Sequence, residues 1–196
     1  MSEGANGVTN GGAGRPGPAK ARDTVVLVNG DGEPIGTLAK LAAHEAPGRL
    51  HLAFSVVLYR SDGRVLLQQR AGTKYHFPLV WANSCCSHPR PGEDLVASAE
   101  RRVGEELGLS CRLADVGTLT YRAVCPVSGL VEHEFDHVLI GEVTGDPVPD
   151  PAEVAALRWA VAADIVSAPP PDSAPWLLPV LTVAERARDR AVVRPS

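Results

Sequence analysis

Alternating and continuous apolar runs divide this chain into strand-like segments early and late, with one strongly helical stretch between them. Residues 24–29 (TVVLVN) are apolar and β-branched, meet Gly30-Asp31-Gly32, and resume an extended pattern over 34–38, which predicts an opening hairpin. Residues 40–46 suit one or two helical turns ended by Pro47-Gly48. Residues 50–59 (LHLAFSVVLY) then read as a strand that turns at Ser61-Asp62-Gly63 into a second over 65–69. Apolar side chains at Leu95, Ala99, Val103 and Leu107 repeat at i, i+4, and Gly108 offers a left-handed stop, so a helix is expected over 95–107. Strands follow at 117–121, 131–143 and 156–160, then a proline-rich loop (Pro169, Pro170, Pro171, Pro175) and a helix over 176–190.

Strands around a central helix, with another helix at the end and no internal repeat, predict one α/β (α+β layered) domain over 23–190. The length of 196 residues fits one domain plus a tail. Residues 1–22 hold six glycines, two prolines and no aromatic side chain, too little apolar surface to offset ordering entropy, so a disordered tail is expected there, with a short second tail over 191–196. A net charge of -4 leaves no global positive field for duplex nucleic acid, while a local cationic pocket for a small anion remains compatible with it. No run approaches a membrane span and no leader pattern opens the chain, which points to the cytoplasm, where the four cysteines are expected to be reduced thiols.

On the helix over 95–107, Arg102 and Glu106 lie one turn apart, which alone would be read as a surface ion pair. Their surroundings change that reading. Aligned with the Nudix box, Gx5Ex7REUxEExGU, the chain offers Ser87, Glu93, Arg101, Arg102, Val103, Gly104, Glu105, Glu106, Leu107, Gly108 and Leu109 at the corresponding places. Ser87 replaces the glycine, and Arg102 replaces the first glutamate of the REUxEE core. An arginine cannot ligate a cation but can bind a diphosphate directly, leaving Glu106 as a carboxylate for Mg2+ against phosphate oxygens.

Upstream, Trp81-Ala82-Asn83-Ser84-Cys85-Cys86-Ser87-His88-Pro89 carries a WxNSxCxHP signature and resembles the type 1 isopentenyl diphosphate isomerases, members of the Nudix superfamily. The blocks at 36–54, Gln69-Arg70 with Lys74, Tyr121-Arg122-Ala123, 129–134 (GLVEHE) and Pro175-Trp176 agree with it, so that the resemblance spans about residues 24 to 188. It implies a Nudix-like mixed sheet and the reversible 1,3-allylic rearrangement of isopentenyl diphosphate to dimethylallyl diphosphate in isoprenoid biosynthesis.

A free cysteine is ordinarily a small core residue. If the backbone is extended at this point, however, Cys86 and His88 face one side and Cys85 the other, and the resemblance makes Cys86 the catalytic thiol. Glu132 and Glu134 stand at i, i+2 in an expected strand and can share one cation. The resemblance joins them to His44, His51 and His88 in a metal site, whose nitrogen and oxygen set suits Mn2+ and also Zn2+, Fe2+ or Mg2+. It also gives Mg2+ a place on the substrate diphosphate, held by Glu106 and the Cys86 backbone carbonyl. Trp176 and Tyr121, core aromatics by default, become by resemblance the face that steadies a tertiary carbocation and the hydroxyl beside the acid–base pair, Cys86 and Glu134. Trp176, beside the proline-rich loop, is expected to help cover the site. Lys40, Arg70, Lys74 and Arg102, scattered cations that would ordinarily be solvated, fall at family positions that hold the diphosphate.

The expected partner is therefore the small-molecule substrate, with no nucleic acid and no membrane, bound by a monomer or at most a dimer. Two rivals remain: a Nudix pyrophosphohydrolase of a nucleoside diphosphate derivative, favoured by Glu93, Arg101, Glu105 and Glu106, and a silent Nudix-fold module that senses a phosphorylated metabolite.

Overall fold

A computed structural model describes residues 23–192. The tails expected at 1–22 and 191–196 lie outside the described residues, save for helix backbone at 191 and 192. The opening hairpin is present as β1 (Thr24–Val28) and β2 (Pro34–Ala39), paired antiparallel. Asn29 Oδ1 accepts from the backbone N–H groups of Asp31 and Glu33, an Asx-type turn that closes the loop. A short helix α1 (Lys40–His44) leads to β3 (His51–Tyr59), the central strand.

β3 is apolar on both faces because both are covered. It runs parallel to β8 (Val131–Glu142) from His51 opposite Glu134 to Tyr59 opposite Glu142, and pairs antiparallel with β6 (Cys85–Ser87) on its other side. β7 (Ala114–Val124) extends the sheet beyond β8, while β4 (Val65–Arg70) carries β5 (Trp81–Ala82) and β9 (Val154–Ala160). A near-continuous hydrophobic run is what a strand buried on two faces requires.

One face packs against α2 (Leu95–Leu107): Phe54, Val56, Leu58, Leu66 and Leu139 enclose Ala99, Val103 and Leu107. Asp94 caps that helix by accepting from the Ala97 N–H, and Gly108 ends it at φ 65, a left-handed conformation that glycine enters without a Cβ clash. The other face packs against α4 (Leu177–Val192): Val57, Tyr59, Val65, Leu67 and Val138 meet Leu177, Val180, Leu181 and Ala184. Truncating a fully buried leucine such as Leu107 or Leu181 is expected to cost about 2–5 kcal/mol.

The sequence pattern gives no sign of β5, β6 or α3 (Ala162–Ser167). Strands of two and three residues are too short to show a period, and they exist because neighbours offer free edges: Trp81 donates its N–H to the Asp172 carbonyl in the proline-rich loop, and the Ala174 N–H returns to the Trp81 carbonyl. β7 begins earlier than expected because a bulge between Asp115 and Gly117 lets the ladder continue to Ala114. The double-sided sheet thus brings the end of α1, the start of β3, the end of β6 and the start of β8 to one rim.

Candidate active site

At that rim His44, His51, His88, Glu132 and Glu134 converge, with ligand atoms all within 4.8 Å of one another. The imidazoles are oriented from behind. His44 Nδ1 donates to the Lys40 carbonyl and His51 Nδ1 to the Arg49 carbonyl, each at 2.7 Å, since a carbonyl can only accept. Both Nε2 atoms therefore present lone pairs to the interior, the arrangement in which histidine binds a metal. His44 Nε2 lies 2.9 Å from Glu132 Oε2, yet neither atom has a hydrogen-bond partner of acceptable geometry. His51 Nε2 lies 3.1 Å from His88 Nε2, which is 2.9 Å from Glu134 Oε1. Buried acceptors facing one another at such distances repel unless a positive charge lies among them, so the donor set fits a divalent cation.

The protonation preferences agree. Burial opposes ionisation of Glu132 and Glu134, but the imidazoles that surround them, His44 and His76 at the first and His51 and His88 at the second, hold both carboxyls below their usual range. Burial drives His88 down to about 3, so its ring is neutral.

Cys85 and Cys86 point into different environments. Cys85 is fully buried among Phe54, Val56 and Val103, whereas Cys86 lines the cleft beside His88, Tyr121, Glu134 and Trp176. The Cys86 thiol donates to Asn83 Oδ1 at 3.0 Å and stands 3.5 Å from Ser55 Oγ. Asn83 is itself fixed by its amide, which donates to the Val56 and Cys85 carbonyls, and Ser55 donates to Asp136 Oδ2 at 2.8 Å. Burial, aided by the Asp136 carboxyl, pushes the Cys86 thiol up to about 12 and keeps it protonated.

The Tyr121 hydroxyl donates to Glu134 Oε2 at 2.6 Å. Its ring stacks on Trp176 with centroids 5.8 Å apart, and Phe77 meets the same indole edge-on at 5.2 Å. Trp176 is only 2% exposed, so it forms a wall of the cleft.

Lys40, Arg70, Lys74 and Arg102 all line this cleft. Arg70 is clamped by the Phe77 and His76 carbonyls. Arg102 pairs with Glu106 and lies 3.3 Å from Glu153, which also pairs with Lys74. Burial lowers the Lys40 ammonium from its usual range. Four cations and the buried Glu106 at one mouth can receive a diphosphate and its cation.

Glu93 and Arg101 stand apart from this constellation. They form a two-pronged pair at 2.7 and 2.9 Å that ties the loop before α2 to the helix, a structural use of two Nudix-box positions. Sequence reasoning passed over His76, Asn83 and Glu153. Asn83 lies inside the WxNSxCxHP signature, but His76 and Glu153 carry no local pattern and only the fold brings them to the cleft. Among the described residues no helix is long and apolar enough to cross a membrane.

Comparison with known proteins agrees with this geometry. The model of the NUDIX domain family matches residues 49–182. A protein of Nocardia farcinica named isopentenyl-diphosphate Delta-isomerase is 51% identical over 166 residues, covering 83% of this chain and 95% of the relative. A Streptomyces griseus protein of the same name is 51% identical over 164 residues, covering 82% and 83%. The crystal structure of a Deinococcus radiodurans protein superposes with a TM-score of 0.66 at 16% identity, over 81% of this chain and 97% of the other, a likeness of fold alone. The chain therefore belongs to the Nudix family and, within it, to the isopentenyl-diphosphate Delta-isomerases.

Proposed function

We propose that this protein interconverts isopentenyl diphosphate and dimethylallyl diphosphate by a 1,3 proton shift, with Cys86 and Glu134 as the proton-transfer pair. The observation that carries this reading is the convergence of a protonated thiol, a carboxylate bridged to a phenol, and an indole wall in one cleft whose mouth holds four cations.

Moving the double bond requires one proton to be added at a terminal carbon and another removed from the far side of the three-carbon unit. The intermediate is a tertiary carbocation. Because the reaction is reversible, the group that gives a proton in one direction takes it in the other. Cys86 is aimed by Asn83 and Ser55, and Glu134 by Tyr121 and His88, so both are held for such transfers. Trp176 offers its π face to the cation, and the buried wall it forms with Tyr121 and Phe77 keeps water away from it. Lys40, Arg70, Lys74 and Arg102 bind the diphosphate, and Glu106 with the Cys86 carbonyl would hold the Mg2+ that accompanies it, a reading supported by their shared cleft.

A divalent ion at His44, His51, His88, Glu132 and Glu134, for which we favour Mn2+, would supply positive charge that tunes the acidity of the Glu134 carboxyl. Residues 23–190 constitute the isomerase domain.

Proton NMR in deuterated water with isopentenyl diphosphate, Mg2+ and Mn2+ tests the reading. Loss of terminal vinyl signals, growth of dimethylallyl signals carrying deuterium and an intact diphosphate are expected. Phosphate release with unchanged vinyl protons would move the protein to the hydrolase reading, and a ligand that binds without any change would identify a silent module.

A further inference from the structure

His76 is not one of the five expected metal ligands, yet it is only 5% exposed and lines the cleft. Its Nε2 is 2.7 Å from Glu132 Oε1, while the other carboxylate oxygen, Oε2, faces His44 Nε2 at 2.9 Å. A carboxylate can only accept, so His76 Nε2 carries the proton and donates it. Nδ1 is then a buried acceptor without a partner. A ring present for packing alone would be served equally by an apolar side chain and would leave no nitrogen unpaired. The residue is also fixed at its main chain, where Arg70 donates to the His76 backbone carbonyl at 3.2 Å, and the Tyr75 ring lies against the imidazole at a centroid distance of 4.5 Å.

We infer that His76 is a positioning residue for Glu132: its Nε2–H grips Oε1 and leaves Oε2 as the one oxygen turned toward the cation site. The inference rests on the five-residue metal site proposed above. Without the donor, Oε1 would be a buried carboxylate oxygen lacking any partner, and the carboxylate would be free to rotate away from His44 or to offer both oxygens. Hydrogen-bonded partners of metal ligands commonly govern affinity in this way, with losses of about 10–100-fold when they are removed.

The experiment is a Mn2+ titration followed by electron paramagnetic resonance, on the parent protein and on His76→Leu, His76→Gln and His51→Ala, with circular dichroism of each metal-free protein as the check on folding. His76→Leu is expected to raise the Mn2+ dissociation constant about 10–100-fold and to alter the bound-ion line shape. His76→Gln, whose amide N–H can reach Oε1, is expected to recover most of the loss. Parent-like binding by a folded His76→Leu would overturn the proposal, as would a folded His76→Gln that binds no better than His76→Leu. Should His76→Leu not fold, His76→Asn takes its place with the same two outcomes, because its shorter amide stops short of Oε1. If His51→Ala binds Mn2+ as the parent does, the five-residue site itself falls and the inference with it. If His51→Ala loses the ion while the His76 variants keep it, only the role of His76 is overturned.

Discussion

Tyr121 stands directly opposite Glu134 across the antiparallel ladder of β7 and β8, and its hydroxyl donates to Glu134 Oε2 at 2.6 Å. The pairing is a consequence of register: a slip of one residue on either strand would turn Tyr121 or Glu134 to the opposite face of the sheet. Since His88 contacts the other oxygen, Glu134 is held at both ends of its carboxylate. Tyr121→Phe keeps the stacking on Trp176 but deletes the hydroxyl. It is expected to lower kcat about 10- to 100-fold with little change in KM, as measured by steady-state conversion of isopentenyl diphosphate. A parent-like kcat would remove Tyr121 from the proton-transfer machinery.

Adjacent cysteines provide an internal control. Cys86→Ala is expected to lower turnover by at least about 10²–10⁴-fold while the fold survives, because it removes a proton-transfer group and little packing. Cys85→Ala opens a small cavity against α2 and is expected to cost about 1–2 kcal/mol in urea unfolding while retaining most activity. Equal loss of activity in the two variants would contradict the division of the two side chains between core and cleft.

Chelation is expected to abolish isomerase activity, with Mn2+ or Mg2+ restoring it. After restoration Glu134→Gln should stay inactive, since it loses a ligand and a proton-transfer group together. Glu105→Gln, at a side chain 43% exposed and paired with Arg101 and Arg102, should remain within a few-fold of the parent. A chelated enzyme that turns over at full rate would dismiss the metal site.

Acid stability should report on the Glu93–Arg101 pair. The Arg101 guanidinium beside Glu93 holds its carboxyl down to about 2, against an ordinary 4.5. Between those values the unfolded chain binds a proton that the native state does not, so the pair's contribution is present above about pH 4.5 and is lost as pH falls toward 2. Glu93→Gln should therefore flatten the fall in urea midpoint over that window. Parallel curves for parent and variant would show that the pair contributes nothing there.

Much of this protein was legible in its sequence because the signals were local. The turn at Gly30-Asp31-Gly32, the i, i+4 series of α2 with Gly108 behind it, and the doubly apolar β3 each follow from short-range sterics and the period of one element. The spacing of Glu132 and Glu134 likewise places both carboxylates on one face of β8. Cys85 and Cys86 needed one assumption, an extended backbone, which β6 provides only because the edge of β3 was there to pair with it. Tertiary structure decided the rest. His76 and Glu153 have no neighbours in sequence that mark them, and they reach the cleft because Glu132 lies far along the chain on β8 and because Glu153 meets Lys74 and Arg102 across the ends of separate elements. Which tautomer His44 and His51 adopt depends on where the carbonyls of Lys40 and Arg49 point. Periodicity assigns a side chain to a face, but only the packed sheet sets the distance between two faces' occupants, and hydrogen bonds, ligand sets and proton transfers fail when that distance is wrong by an ångström.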